Sequence, residues 1–270
     1  MLQFILAKIE KSRRKIKMDK RIGAQLYTIR DFCQTKEDFE ESMAKVAKIG
    51  YKAVQLSSIG KIDPKDIKEI CDKYNLVITC THRDFDELKN NTDFSIEFHK
   101  TCGCHVAGLG AIPYWDGIHT KHQAMNAVKE LNEISDKFTA AGITFAYHNH
   151  AIEFKKVDGK YLMDYFLEYG NFKFILDVYW LAVAGINPAK FIREHSDRIS
   201  MIHFKDLKVK ANAPAICEVM EGNLDWDEII AASFESEAEF ALVEQDTCDN
   251  GDPFKCLETS YNNLKTKGFN

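Results

Sequence analysis

No run of apolar residues in this 270-residue chain approaches the ~20 needed to cross a bilayer, so no membrane partner is expected. Basic charge is not in surplus either. Lys and Arg number 36 against 41 Asp and Glu, a formal net charge of -5. A mildly acidic chain lacks the electrostatic footprint of a nucleic-acid binder, and no such partner is expected. The eight cysteines include no C-x-x-C pair, and Cys102 and Cys104 have no second ligand pair nearby. Reduced thiols in a cytoplasmic protein are expected, not a disulfide framework. No G-x-G-x-x-G follows the first strand-like segment, which argues against a doubly wound dinucleotide fold. No low-complexity linker divides the chain. A single domain is expected over residues 20–270, after an N-terminal extension at 1–19. The extension places its apolar stretch before its basic residues, the wrong order for a secretory signal. Glu10 and Asp19 interrupt a transit-peptide pattern, so a peripheral, poorly ordered segment is expected.

What is present is a rhythm. Apolar residues make up 45% of the chain and charged residues 29%, enough for a real core. Short apolar segments alternate with helix-like ones: "RIGAQLYTI" then "TKEDFEESMAKVAKIG", "KAVQLS" then "DPKDIKEICDKYN", "LVITCTH" then a helix around 92–101, and "HVAGLGA" then the long helix ending at Gly142. In "DPKDIKEICDKYN", Asp63 is a ready N-cap and Pro64 suits the first turn. The second half continues with "ITFAYHNH", "FKFILDVYW", "ISMIHFKD" and "EFALVEQD", each followed by a helical segment, with a loop after the seventh strand. Eight strand–helix pairs in about 250 residues predict an α/β fold, a (β/α)8 TIM barrel.

The active site of such a barrel lies at the C-terminal ends of the strands. "FILD", "SMIH" and "ALVE" each carry apolar residues up to one ionisable residue: Asp177, His203 and Glu244. Burying a lone charge costs several kcal/mol unless it is paired or bound to a metal. Three such charges at one rim fit one divalent cation, Mn, Zn, Co or Fe. The fifth strand ends in "YHNHAIEF". His148 offers a fourth ligand at the same level, and His150 shares its side while the backbone stays extended. Glu153, just beyond, suits a general base or a hydrogen-bonding partner to a ligand. His99, His105, His119, His122 and His195 fall on helix or loop segments and are expected at the surface.

With "AQLYTIRD", "YHNHAIEF", "LDVYW" with "AGINP", "DRISMIHFKD", "EGNLDW" and "LVEQD" together, the chain resembles the xylose isomerase-like TIM-barrel family of sugar phosphate isomerases and epimerases, over roughly residues 20–266. The resemblance implies one divalent metal on the fifth, sixth, seventh and eighth strands, here His148, Asp177, His203 and Glu244. The best-known epimerases of that family carry Glu where this chain has His148, and use it with the eighth-strand Glu to shuttle a proton. Related dehydratases on keto-inositols, and enzymes on 3-keto-glycosides, alter that residue. The expected chemistry is proton abstraction beside a carbonyl or hydroxyl of an unphosphorylated sugar or polyol, with a metal-stabilised enediolate. Glu244 or Glu153 takes the proton and Lys205 sits near the developing charge. Trp115 and Trp180 cover a sugar face, and His82 and His150 contact substrate. A lyase on a keto-inositol or 3-keto-glycoside is the alternative, and a non-catalytic sugar-binding barrel is a further one. The plain alternative for Lys205 is an ion pair with Asp206 or another carboxylate. A homo-oligomer is compatible with the pattern.

Overall fold

The computed structural model describes residues 18–249 and 251–270. The expectation for the extension therefore falls mostly outside the described residues. Of its last two positions, Met18 is buried in the core and the Asp19 N–H donates to Glu239 O at 2.8 Å.

Twelve strands are described: β1 (Gly23–Gln25), β2 (Ala53–Leu56), β3 (Val77–Thr81), β4 (Val106–Leu109), β5 (Thr144–His148), β6 (Lys156–Val157), β7 (Lys160–Tyr161), β8 (Lys173–Asp177), β9 (Ile199–Phe204), β10 (Asp206–Lys210), β11 (Ala213–Cys217) and β12 (Phe240–Val243). Eight of them form one parallel sheet in the order β3-β2-β1-β12-β9-β8-β5-β4. Between β3 and β4 the ring is joined by one parallel bridge, Arg83 to Leu109, with the Arg83 N–H donating to Gly108 O at 2.9 Å. This is the expected barrel.

The helices are α1 (Lys36–Ile49), α2 (Pro64–Lys73), α3 (Phe85–Asn90), α4 (Thr92–Cys102), α5 (Lys121–Ala140), α6 (Leu162–Tyr169), α7 (Val178–Val183), α8 (Pro188–Glu194), α9 (Trp226–Glu235) and α10 (Pro253–Lys265). Their starts follow local chemistry. Asp63 accepts from the Lys65 N–H ahead of Pro64, and Thr120 forms a capping box with Gln123. The structure differs from the sequence reading at several points: residues 26–29 and 178–180, read as strand, are helical, and β6 and β7 form an unexpected hairpin. The segment after β3 forms two helices, because Asp84 caps a short α3 before α4 begins. The loop expected after the seventh barrel strand is the β10–β11 hairpin, turned at Ala211 and Asn212 with φ of 50° and 63°. Neither turn residue is glycine, so the usual hairpin signal is absent.

The barrel interior is a packed plug. Ala53, Cys80, Val106, Ala146, Ile175, Met201, Phe240 and Leu242 meet there, contributed by every barrel strand except β1. At that level β1 offers Gly23, where a Cβ would come within 2.3 Å of Leu242 Cδ2. Leu242 fills that space instead. Side chains on a strand alternate between faces, so the residue two further on points the same way, one layer higher. Two steps on from Gly23, Ala53, Cys80, Ala146, Ile175, Met201 and Leu242 lie Gln25, Gln55, His82, His148, Asp177, His203 and Glu244. The apolar plug is thus roofed by a polar layer at the carboxyl ends of the strands. Two steps on from Val106 lies Gly108, where a Cβ would come within 2.1 Å of Thr81 O and 3.1 Å of His82 Cδ2. A glycine there lets β3 and β4 close and leaves room for the His82 ring.

Candidate metal centre and its cavity

Four members of the polar layer converge. His148, Asp177, His203 and Glu244 stand on β5 and β8, on β9, and just past β12, which are neighbours in the ring. One ligand atom from each lies within 4.8 Å of all the others, and all four residues are buried. His148 Nε2 is 3.4 Å from Asp177 Oδ2. His203 Nδ1 is 2.9 Å from Glu244 Oε2 and 3.8 Å from Asp177 Oδ2.

Their outer atoms are held by the scaffold. His203 Nε2 lies 2.7 Å from Gln55 Oε1, and His148 Nδ1 lies 3.3 Å from Gly110 O. Both partners are acceptors, which would fix the proton on the outer nitrogen of each ring when a metal takes the inner one. The Gln25 amide donates to Glu244 Oε1 at 2.8 Å, and Asp177 Oδ1 accepts from the Trp180 N–H at 3.1 Å, capping α7. Such partners orient ligands and fix tautomers around a metal. His203 Nδ1 is buried and faces the carboxylates of Glu244 and Asp177. Two imidazoles and two carboxylates converging in a buried site could hold a metal ion.

Lys205 sits beside this group, only 1% exposed. Its Nζ lies 2.7 Å from Asp246 Oδ1, 3.3 Å from Glu244 Oε2 and 3.6 Å from Asp177 Oδ2. Asp206, the neighbour considered as its partner, is used elsewhere. The Asp206 carboxylate accepts from the N–H groups of Leu207, Met220, Gly222 and Leu224 at 2.7–3.4 Å, and from Trp226 Nε1 at 2.7 Å. This gives "EGNLDW" a structural role, wrapping the 218–226 segment around one carboxylate. Replacing Asp206 by Ala strands these donors, and a stability loss of about 3 kcal/mol is expected by chemical denaturation. A loss under ~1 kcal/mol would show that water replaces the carboxylate.

Charge sets the protonation pattern. Burial alone would raise Asp177, yet the Lys205 ammonium, His148 and His203 outweigh it and hold the carboxyl below its usual range. Glu244 behaves likewise, with burial overcome by Lys205 and His203. Burial lowers His203, but Glu244 and Asp177 carry it to about 9. His82 and His150 are pushed down by burial and by the neighbouring His148, His150 to about 3.

A cavity of about 620 Å³ opens above the group, lined by His82, His148, His150, Lys205, Glu244 and Asp246 at its inner end. Trp115 and Trp180, expected to cover a sugar face, are outside the cavity lining; their rings pack 5.0 and 5.3 Å from that of His150, behind it. Trp180 also lies 5.3 Å from the Lys205 ammonium.

Glu153 is placed elsewhere, which corrects its expected part as a base in the cavity. The chain leaves β5 through a tight turn at Ile152–Phe154, so the carboxylate folds back under the strand. There it accepts from Tyr147 Oη at 2.6 Å and from the His150 N–H at 2.7 Å, fully buried and outside the cavity lining. His99 corrects a second expectation. It is buried on the inner face of α4, with Nε2 2.9 Å from Thr81 Oγ1 and Nδ1 2.6 Å from Ser95 O. Gln25, Gln55 and Asp246 were not singled out as functional in the sequence. For Gln25 and Gln55 the signal was a polar residue two steps past a small one; Asp246 follows two steps past Glu244 and leaves no such trace.

No curated protein matches the chain by sequence. Among solved structures, two sugar phosphate isomerase/epimerases from Parabacteroides distasonis are similar, both at 22% identity. One superposes with a TM-score of 0.76 over 96% of each chain, the other with 0.79 over 92% of this chain and 98% of that one. A probable 3-DHS dehydratase from Bacillus anthracis follows at 13% identity, TM-score 0.71, over 91% of this chain and 98% of its own. Likeness at these identities speaks for the fold. The family model of the xylose isomerase-like TIM barrel matches residues 43–239, and the chain belongs to that family.

Proposed function

We propose that the protein is a divalent-metal-dependent isomerase or epimerase of a sugar or polyol, working by proton abstraction beside a carbonyl. The observation that carries this reading is the convergence of His148, Asp177, His203 and Glu244, all four buried, with one ligand atom from each within 4.8 Å of the others. The isomerase/epimerase structures with the same barrel point the same way. A metal held by those four residues would polarise the substrate oxygen and stabilise an enediolate.

The chain's own groups supply the rest. Glu244 is the carboxylate that both belongs to the ligand set and lines the cavity, so it takes the proton. Gln25 holds its other oxygen in place. Lys205, fixed by Asp246, keeps a positive charge near the developing negative one. His82 and His150 line the inner end and hydrogen-bond substrate hydroxyls, and Trp115 and Trp180 back His150.

One observation favours a lyase as the second reading. The fifth-strand ligand is the imidazole His148, and Glu153 turns away, so no second carboxylate faces Glu244 from that strand. A single base suits isomerisation or elimination better than two-sided epimerisation. The test is incubation of Mn²⁺-loaded protein in D₂O with ketoses, keto-inositols and 3-keto-glycosides. Metal-dependent deuterium uptake at the carbon beside the carbonyl is expected, with loss of water or an alcohol if the lyase reading holds. Absence of exchange and elimination across the panel would refute the proposal.

A further inference from the structure

Building on that reading of a metal-dependent sugar site, we infer that the outer half of the cavity takes an uncharged polyol chain and rejects a phosphate ester. Two cations line the whole cavity, Lys205 and Arg83, and both are already engaged. Lys205 is surrounded by Asp177, Glu244 and Asp246. Arg83 closes a two-pronged pair with Glu87, Nε to Oε1 at 2.9 Å and Nη2 to Oε2 at 2.6 Å, and its guanidinium lies 4.2 Å from the centre of the Phe98 ring. That fork is the geometry with which arginine would otherwise seize a phosphate.

The helix terminus at this wall is also taken. N-terminal N–H groups of a helix are a ready anion site. At α3, the Asp84 carboxylate already accepts from the Asp86 and Glu87 N–H groups, at 2.8 and 3.2 Å. Five carboxylates line the cavity, those of Asp84, Asp86, Glu87, Glu244 and Asp246. Against two cations they leave the wall negative even with a divalent ion bound. A phosphate ester carries about -1.5 to -2 charges at neutral pH and would meet repulsion with no free Lys or Arg among the residues that line the cavity. Hydroxyl groups suit this wall better. Ser57, Ser58 and the carboxylates can bond them, while Ile59, Leu109 and Pro113 cover C–H faces.

The experiment compares D-glucitol with D-glucitol 6-phosphate on the full-length, Mn²⁺-loaded protein, by calorimetry. The ester is expected to bind at least about tenfold more weakly. Equal or tighter binding of the ester overturns the inference. The triple variant Asp84→Asn, Asp86→Asn, Glu87→Gln removes three wall charges and frees Arg83, and asparagine still caps α3. Its ratio of affinities should shift towards the ester by about tenfold or more. An unmoved ratio would show that this wall does not select. Mn²⁺ binding is measured first on the same sample. Failure to bind the ion counts against the metal reading, whereas bound Mn²⁺ with preference for the ester counts against this inference alone.

Discussion

Asp177→Asn should cost the protein at least about 100-fold in divalent-metal affinity while leaving the barrel folded. The reasoning starts from geometry. Asp177 Oδ2 faces His148 Nε2 and His203 Nδ1, and its Oδ1 caps α7 through the Trp180 N–H. Asparagine preserves the capping oxygen, which is otherwise worth about 1 kcal/mol, so α7 still starts where it does. It removes the anionic charge that a cation needs, and even a residue one shell further out changes metal affinity 10–100-fold. Mn²⁺ calorimetry reads the affinity and thermal unfolding reads the fold. Solvent-deuterium exchange into substrate should vanish together with the ion. Exchange at the wild-type rate in this variant would remove Asp177 from the chemistry.

Lys205→Met is expected to destabilise the metal-free protein by about 3–5 kcal/mol. The ammonium is buried among Asp177, Glu244 and Asp246, and methionine leaves three carboxylates crowded without it. For a chain of this size that corresponds to a fall in Tm of roughly 6–20 °C. A divalent ion supplies the missing positive charge, so saturating Mn²⁺ should recover much of the loss. The rescue is informative because it ties lysine and metal to the same carboxylates. A variant as stable as wild type would mean that the carboxylates reach water by another route. A loss that Mn²⁺ does not reverse would mean that the ion binds elsewhere.

How far the chain could be read follows from one periodicity. A strand whose apolar residue at one position is followed two residues later by an ionisable one announces a plug and its roof. Ile175 and Asp177, Met201 and His203, Leu242 and Glu244 all obey this, and so does Ala146 with His148. The barrel and the four converging residues were legible because the strand alternation is local and rigid. Glu153 was not, because extrapolating an extended backbone past His150 missed the turn that buries its carboxylate against Tyr147. His99 was missed because a helix has a buried face, and a lone histidine on it satisfied by Thr81 and Ser95 leaves no periodic trace. The partners of Lys205 lie on other strands: Asp246 beyond β12 wins over the adjacent Asp206, whose carboxylate is claimed by five N–H donors from residues 207–226. Such choices depend on tertiary placement and not on spacing.

The central claim is that one cation sits among His148, Asp177, His203 and Glu244. Calorimetric titration of the metal-stripped protein with Mn²⁺ tests it most directly, in parallel with Asp177→Asn, His203→Gln and Glu153→Gln. One ion per chain is expected in the wild type and in Glu153→Gln, with binding lost in the other two. No bound ion in the wild type, or equal binding in all four proteins, would contradict the account.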